Sequence, residues 1–313
     1  MSTIQEASDR VPRCTETNPG DILPWRSTLF SVIGPDAVRR HLARPIIERY
    51  RQEGLAVVGW QSNRITPVLL DGVYEEHLVS SADAYRYRAL DAKYALGPSI
   101  ALRLAPPHAD NREISHWYWY IKTVKGPSAP ADTKPGCIRH DLGAINTVLS
   151  LVHASDSPEH AARESSILLD GKASSWRCPS SLDGFLDVSE THWRKETRGF
   201  TEVLSELRAG IVSHLWPSLS SEGQLLASQL TRAGQLATPD AGERIRAHLV
   251  DWRAGYALLE VLAARFDPST APLDIGTVER ALIGVGLALD DWSRTVLDTS
   301  MFFEPRRLPL PEK

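Results

Sequence analysis

The feature that most constrains this chain is a change of texture near residue 188. Before it, short β-branched and aromatic runs alternate with helix-spaced ones. After it, almost no strand signal remains. Leu29–Ile33 reads as a strand stopped by Gly34-Pro35-Asp36. Ala56 opens a second apolar strand, AVVGWQS, and SIALRLA after Gly97-Pro98 alternates as a third. Between them, Ile46, Ile47 and Tyr50 sit at helical spacing, with Gly54 as a stop. Residues 67–96 read as two helical pieces. HWYWYIKTV at 116–124 fits a helix or a strand. NTVLSLVHASDS reads as a buried segment or strand, followed by a helix with Ser157 as N-cap and Pro158 in its first turn.

At 313 residues the chain exceeds what one core usually fills. The boundaries that follow are a polar arm at 1–26, an α+β domain at 27–170, a Ser/Gly/Pro-bearing linker at 171–188 and an all-α domain at 189–313. Candidate helices in the last are 190–215, 220–235, 240–266 and 275–297. In the third, Ile245, Leu249, Trp252, Tyr256, Leu259 and Leu262 recur every three or four residues, which predicts one long helix with a buried stripe.

Composition narrows the function classes. A net charge of −4 gives no global basic field for nucleic acid. No apolar run approaches the roughly 20 residues of a membrane span. The start is polar, and Cys14, Cys137 and Cys178 form no CxxC pair. A sparse, odd cysteine set fits a reducing compartment, so the expectation is a soluble cytoplasmic protein without nucleic-acid or membrane partners.

Chemistry concentrates in KGPSAPADTKPGCIRHD and the segment after it. Lys122 and Arg139 can neutralise phosphate oxygens, Arg with fork geometry. Ser128 can donate a hydroxyl. His153 is a candidate nucleophile or acid–base group, and Asp156 or Glu164 could accept a proton from its other ring nitrogen. Spacing alone fixes no role for His153.

PADTKPGCIRHD followed by VHASDSPEHAARE resembles the signature of nucleoside diphosphate kinases, and LFSVIGPDAVRRHLARPIIERYRQEGLAVVG resembles that family's opening. The resemblance covers roughly residues 28–170. It implies a ferredoxin-like, four-stranded antiparallel sheet covered by helices. It implies phosphoryl transfer from a nucleoside triphosphate, carried with Mg²⁺, through a phosphohistidine to a nucleoside diphosphate or a specialised acceptor, in a homo-oligomer. His153 matches the phosphorylated histidine, and Ser155 and Glu164 match its supports. Arg139 and Ser128 match nucleotide-phosphate contacts, and Lys122 stands where the family has an arginine. Leu90 matches a wall beside the base, with Tyr87 or Tyr85 in place of the missing stacking phenylalanine.

The sequence also departs from that pattern. Gly34 stands where the family has the lysine that contacts the transferred phosphate. Leu78 replaces a tyrosine, Ser150 an asparagine, and Arg86 the phenylalanine. Losing a cation and an amide from the clamp predicts nucleotide exchange slowed by about 3–5 kcal/mol of barrier. Two other readings stay open at this level: a nucleotide-binding scaffold without turnover, and a biosynthetic enzyme using the same pocket on a nucleotide-like small molecule. GVG at 284–286 reads as close helix packing, and Asp290-Asp291 as a polar helix face.

Overall fold

A computed structural model of the chain describes residues 24–75, 81–107, 112–169, 176–251, 256–266 and 274–306, with no side chains described at 81–87. Four strands form one sheet: β1 (Leu29–Ile33), β2 (Ala56–Asn63), β3 (Ser99–Ala105) and β4 (Val152–Ala154). Their order is β2-β3-β1-β4, and every pairing is antiparallel. β1, central and buried at all five positions, is apolar except for Ser31. The hydroxyl of Ser31 meets Tyr50 Oη at 2.9 Å and donates to the His153 carbonyl at 2.8 Å. Every β3 position is buried as well. The α+β, ferredoxin-like expectation holds.

Helices α1 (Pro35–Arg39), α2 (Ala43–Gln52), α3 (Pro67–Val73), α4 (Ser81–Ala95), α5 (Ile114–Lys125), α6 (Ile138–Asp141) and α7 (Pro158–Leu168) follow the first three strands and flank β4. The undecided HWYWYIKTV segment is helix α5, stopped by Gly126. Trp117 and Tyr118 are buried in the core, whereas Trp119 is exposed. α7 begins as its sequence predicts, with Ser157 Oγ accepting from the His160 N–H at 3.2 Å.

The chain divides into two compact units. The first takes the described residues up to Ala144 together with Val148–Thr197; the second takes Ile145–Thr147 and the described residues from Arg198 onward. The expected linker at 171–188 is therefore corrected over its described part. Trp60 and Arg177 pair as a β-bridge, and helix α8 (Leu182–His192) buries Leu182, Phe185 and Leu186 in the same core as the sheet. Ser and Gly suggested an open tether, but the apolar i, i+3, i+4 triplet at 182–186 prevails because it covers Trp60. The Trp60 indole is fully buried, packs on Phe185 at 4.8 Å between centroids, and donates to the Cys178 carbonyl at 2.9 Å and Ser181 Oγ at 3.1 Å. Arg44 on α2 ion-pairs with Asp183, Asp187 and Glu190 of α8. Trp60→Ala is expected to destabilise the protein by about 3–5 kcal/mol and to open 176–192 to proteolysis, read by urea melts and limited digestion. A melt unchanged from wild type would mean that this segment adds nothing to the core.

The described helices of the second unit are α9 (Phe200–Leu215), α10 (Ser221–Arg232), α11 (Ala241–Arg246), α12 (Tyr256–Ala263), α13 (Ile275–Ile283) and α14 (Asp291–Phe302). The all-α expectation holds, with one isolated bridge between Leu219 and Leu249. The single helix expected at 240–266 is not one helix. α11 ends at Arg246, Leu249 makes that bridge, and α12 starts at Tyr256; Trp252 lies outside the described residues. The expected helix at 275–297 is likewise two. Gly286 takes a φ of +75°, a left-handed conformation that ends the turn rather than packing a helix closely. Asp290 is the N-cap of α14, accepting from the Ser293 N–H at 2.7 Å. Cys137 is a buried free thiol. Among the described residues, no helix is long and apolar enough to cross a membrane.

Candidate active site

The three-residue strand β4 carries His153 opposite Val32 of the central strand. One turn and one helix later, Glu164 on α7 returns to it. Its Oε2 lies 2.8 Å from His153 Nε2 and accepts from Ser155 Oγ at 2.5 Å. Ser155 is buried at the end of β4, and its N–H donates to the Phe30 carbonyl, which fixes the hydroxyl. Burial pulls the Glu164 carboxyl upward. The His153 ring and the Ser155 hydroxyl outweigh that, and the net position is below the usual carboxylate value. An ionised Glu164 accepts at Nε2, so the ring proton belongs there and Nδ1 carries the free lone pair. Of the two carboxylates open in the sequence, Glu164 orients the ring. Asp156 instead pairs with Lys122 Nζ at 3.0 Å on the surface.

The basic groups are distributed differently from their sequence reading. Arg139 is buried, and its fork is largely engaged by the backbone. Nε donates to the Ser150 carbonyl (3.0 Å), Nη1 to Gly126 (2.8 Å) and Nη2 to Val152 (2.7 Å). Burial lowers its pKa to about 10, so it stays charged at neutral pH. Its clearest action is to tie the 126 turn to the segment entering β4. Ser128 is half-buried, Lys122 is exposed, and Leu90 packs at the margin of the core. Leu78 and the side chains of Tyr85, Arg86 and Tyr87 lie outside the described residues.

Three charged groups went unremarked in the sequence. Lys125, in the last turn of α5, is buried and donates to the Ala154 carbonyl at 3.2 Å, next to His153. Asp36, 1% exposed, accepts from the Leu151 N–H at 2.8 Å, and Lys93 of α4, 4% exposed, lies 3.3 Å from its other oxygen. A charged residue on a core-facing helical position is the one sequence signal that could have singled out Lys93 and Lys125.

Burial, reinforced by Arg139, brings Lys125 down to about 8 from an ordinary 10.5. Between those values the unfolded chain holds more protons than the folded one, so this group's contribution to stability rises with pH. The stability difference, wild type minus Lys125→Met, is expected to increase from pH ~8 to ~10.5, with a slope of at most about 1.4 kcal/mol per pH unit. Urea melts across that range check it; a flat difference would mean that Lys125 is not desolvated.

Residues 27–173 match the family model described as nucleoside diphosphate kinase. A nucleoside diphosphate kinase of Kosmotoga olearia is 30% identical over 141 residues, 45% of this chain and 87% of that protein. One from Nocardioides is 34% identical over 140 residues, 45% of this chain and 94% of that one. The chain belongs to the nucleoside diphosphate kinase family. A crystal structure of a family protein from Babesia bovis is 25% identical, covers 45% of this chain and 86% of its own, and has a TM-score of 0.37. Membership rests on the first unit. The relatives match less than half of the chain, and the family match ends at residue 173, before the helical unit begins.

Proposed function

We propose that the protein is a phosphotransferase that moves the terminal phosphate of a nucleoside triphosphate through His153 to a nucleoside diphosphate or a specialised acceptor. The observation that carries this reading is the 2.8 Å contact between His153 Nε2 and Glu164, which leaves Nδ1 as the nucleophilic nitrogen in a chain of this family. The Nδ1 lone pair attacks the terminal phosphorus. An N–P bond forms, the bridging P–O bond breaks, and the nucleoside diphosphate leaves with the electron pair. The imidazolium charge that develops is held by Glu164, which keeps its hydrogen bond to Nε2–H throughout. The second half-reaction runs the same exchange toward an acceptor oxygen. Ser155 fixes the carboxylate, so the ring need not reorganise as charge develops.

Lys122, Ser128 and Arg139 are proposed to face the phosphates, and Leu90 and Tyr87 the base. Arg139 would reach a phosphate oxygen only with the guanidinium hydrogens not held by Ser150, Gly126 and Val152. Among the described residues, no group of three His, Cys, Asp or Glu is arranged to hold a metal ion. Mg²⁺ would arrive on the triphosphate as part of the substrate.

Incubation of the full chain with γ-³²P-labelled nucleoside triphosphate tests the reading. The expected product is a protein-bound label that survives base and is released by acid. An absent label, or one stable to acid, would overturn the phosphohistidine route.

A further inference from the structure

The loss of a lysine at position 34 reads in the sequence as a missing cation. The structure suggests that the charge has moved. A Cβ placed on Gly34 would stand 2.8 Å from Lys93 Cε and 3.0 Å from Lys93 Nζ. The ammonium of a helix residue thus occupies the space into which a side chain at 34 would grow. With Lys93 in place no such side chain fits without displacing it, and Asp36 Oδ1 closes the same space.

Sheet geometry relates this ammonium to His153. The β1–β4 pairing sets Val32 against His153 and Ile33 against Val152, and the Gly34 N–H continues the ladder to the Leu151 carbonyl at 2.8 Å. Side chains two apart on a strand share a face, as do directly paired residues. The Cβ direction of Gly34 therefore shares the face of Val32 and His153. His153 is its diagonal neighbour across the pair. A phosphoryl group on Nδ1 would lie on the face of the sheet that this ammonium occupies.

Lys93 also has donors to offer. An ammonium carries three. Among the described residues its contacts are Asp36 Oδ1 at 3.3 Å and the Tyr94 ring at 5.5 Å from Nζ to the centroid. Burial, opposed by Asp36, lowers its pKa. Asp36 is itself anchored by the Leu151 N–H, so the pair is fixed relative to the start of β4.

We infer that Lys93 binds the transferred phosphate, supplying from helix α4 the cation that Gly34 no longer supplies from the end of β1. This inference rests on the proposed phosphotransferase reading. It also revises the expected deficit, because the clamp is rearranged at this position and not simply depleted.

The test compares binding of a nucleoside diphosphate with that of a β,γ-imido triphosphate by titration calorimetry on the full chain. His153 labelling by γ-³²P-triphosphate is followed in parallel. Lys93→Met leaves Asp36 buried without its cation, so Lys93→Met/Asp36→Asn, which removes both charges, is made as well. Near-ultraviolet circular dichroism confirms the fold. In a folded variant the expected result is at least about a 10-fold loss of triphosphate affinity, with diphosphate affinity within about twofold of wild type. Labelling is expected to slow by about 100-fold or more. An unchanged triphosphate preference, or an equal loss for both nucleotides, would overturn the role of Lys93 and leave the phosphohistidine reading standing. A wild-type chain that takes no label would overturn both.

Discussion

His153→Ala leaves no acid-labile phosphoryl label on the protein and lowers transfer by about four orders of magnitude or more, the scale seen when a nucleophile is deleted from a covalent mechanism. The orientation of the His153 ring is fixed. Glu164 accepts from Nε2, Ser155 donates to the same carboxylate oxygen, and the backbone of β4 is held by β1, so Nδ1 is the ring nitrogen with a lone pair to offer. Glu164→Gln gives a graded counterpart. An amide can still hydrogen-bond Nε2, but it cannot offset the charge on the ring, and labelling should fall by about 10²–10³-fold with the fold intact. Quench-flow labelling of the three proteins measures both effects. If His153→Ala still turned over the natural substrate at the wild-type rate, the covalent route would be abandoned. Equal rates for Glu164→Gln and wild type would remove the carboxylate from the mechanism while leaving the nucleophile in place.

The second large effect belongs to the helical unit. Arg208 is fully buried in α9. Its Nη1 donates to the Leu236 and Thr238 carbonyls at 2.6 and 2.7 Å, and Nη2 to the Ala264 carbonyl at 2.6 Å. One guanidinium thus satisfies the chain after α10 and the chain after α12 at once. Arg208→Leu leaves one buried carbonyl, that of Leu236, and two part-buried ones, those of Thr238 and Ala264, without these donors; an unsatisfied buried carbonyl costs about 1–3 kcal/mol. Relief of the buried charge offsets part of this, since burial brings the Arg208 pKa down to about 10. The net loss is expected to be at least about 3 kcal/mol. Arg208→Lys should recover little of it, because one ammonium cannot span three carbonyls with planar geometry. Urea melts of the full chain, followed in the far ultraviolet, measure this. A loss below about 0.5 kcal/mol, ordinary for a surface substitution, would show that the carbonyls find other donors.

At position 34 the space left by a small residue on one strand is filled by a side chain from another element. Gly34 looked like a deletion because the sequence shows each position only along its own strand. Lys93 is distant in sequence and lies on α4, whose side chain meets Asp36 only after the sheet has formed. Arg139 shows the converse. Its residue type promised a bidentate phosphate contact, yet the tertiary structure engages most of its hydrogens with carbonyls of the 126 turn and the β4 entry.

The amino-acid sequence by itself determined the sheet-forming runs at 29–33, 56–62 and 99–105 and the Ser157 cap, which are encoded by local chemistry: β-branched and apolar residues on buried strands and an oxygen preceding helical N–H groups. The grouping of His153, Ser155 and Glu164 followed only from the resemblance to a family, and the choice of Glu164 over Asp156 came from the tertiary structure. Tertiary structure decided what depends on distant partners. Residues 176–188 joined the first core because Trp60 needed covering and its indole needed an acceptor. The periodic stretch at 240–266 broke because the Leu249 bridge to Leu219 prevailed over a pattern that would suit one long helix. Asp36 met Lys93 at the entry to β4, and Lys125 met the Ala154 carbonyl, because burying a charge is tolerated only where another group or a carbonyl meets it. Such a meeting is a property of the folded sheet and helices, which the order of residues along the chain does not display.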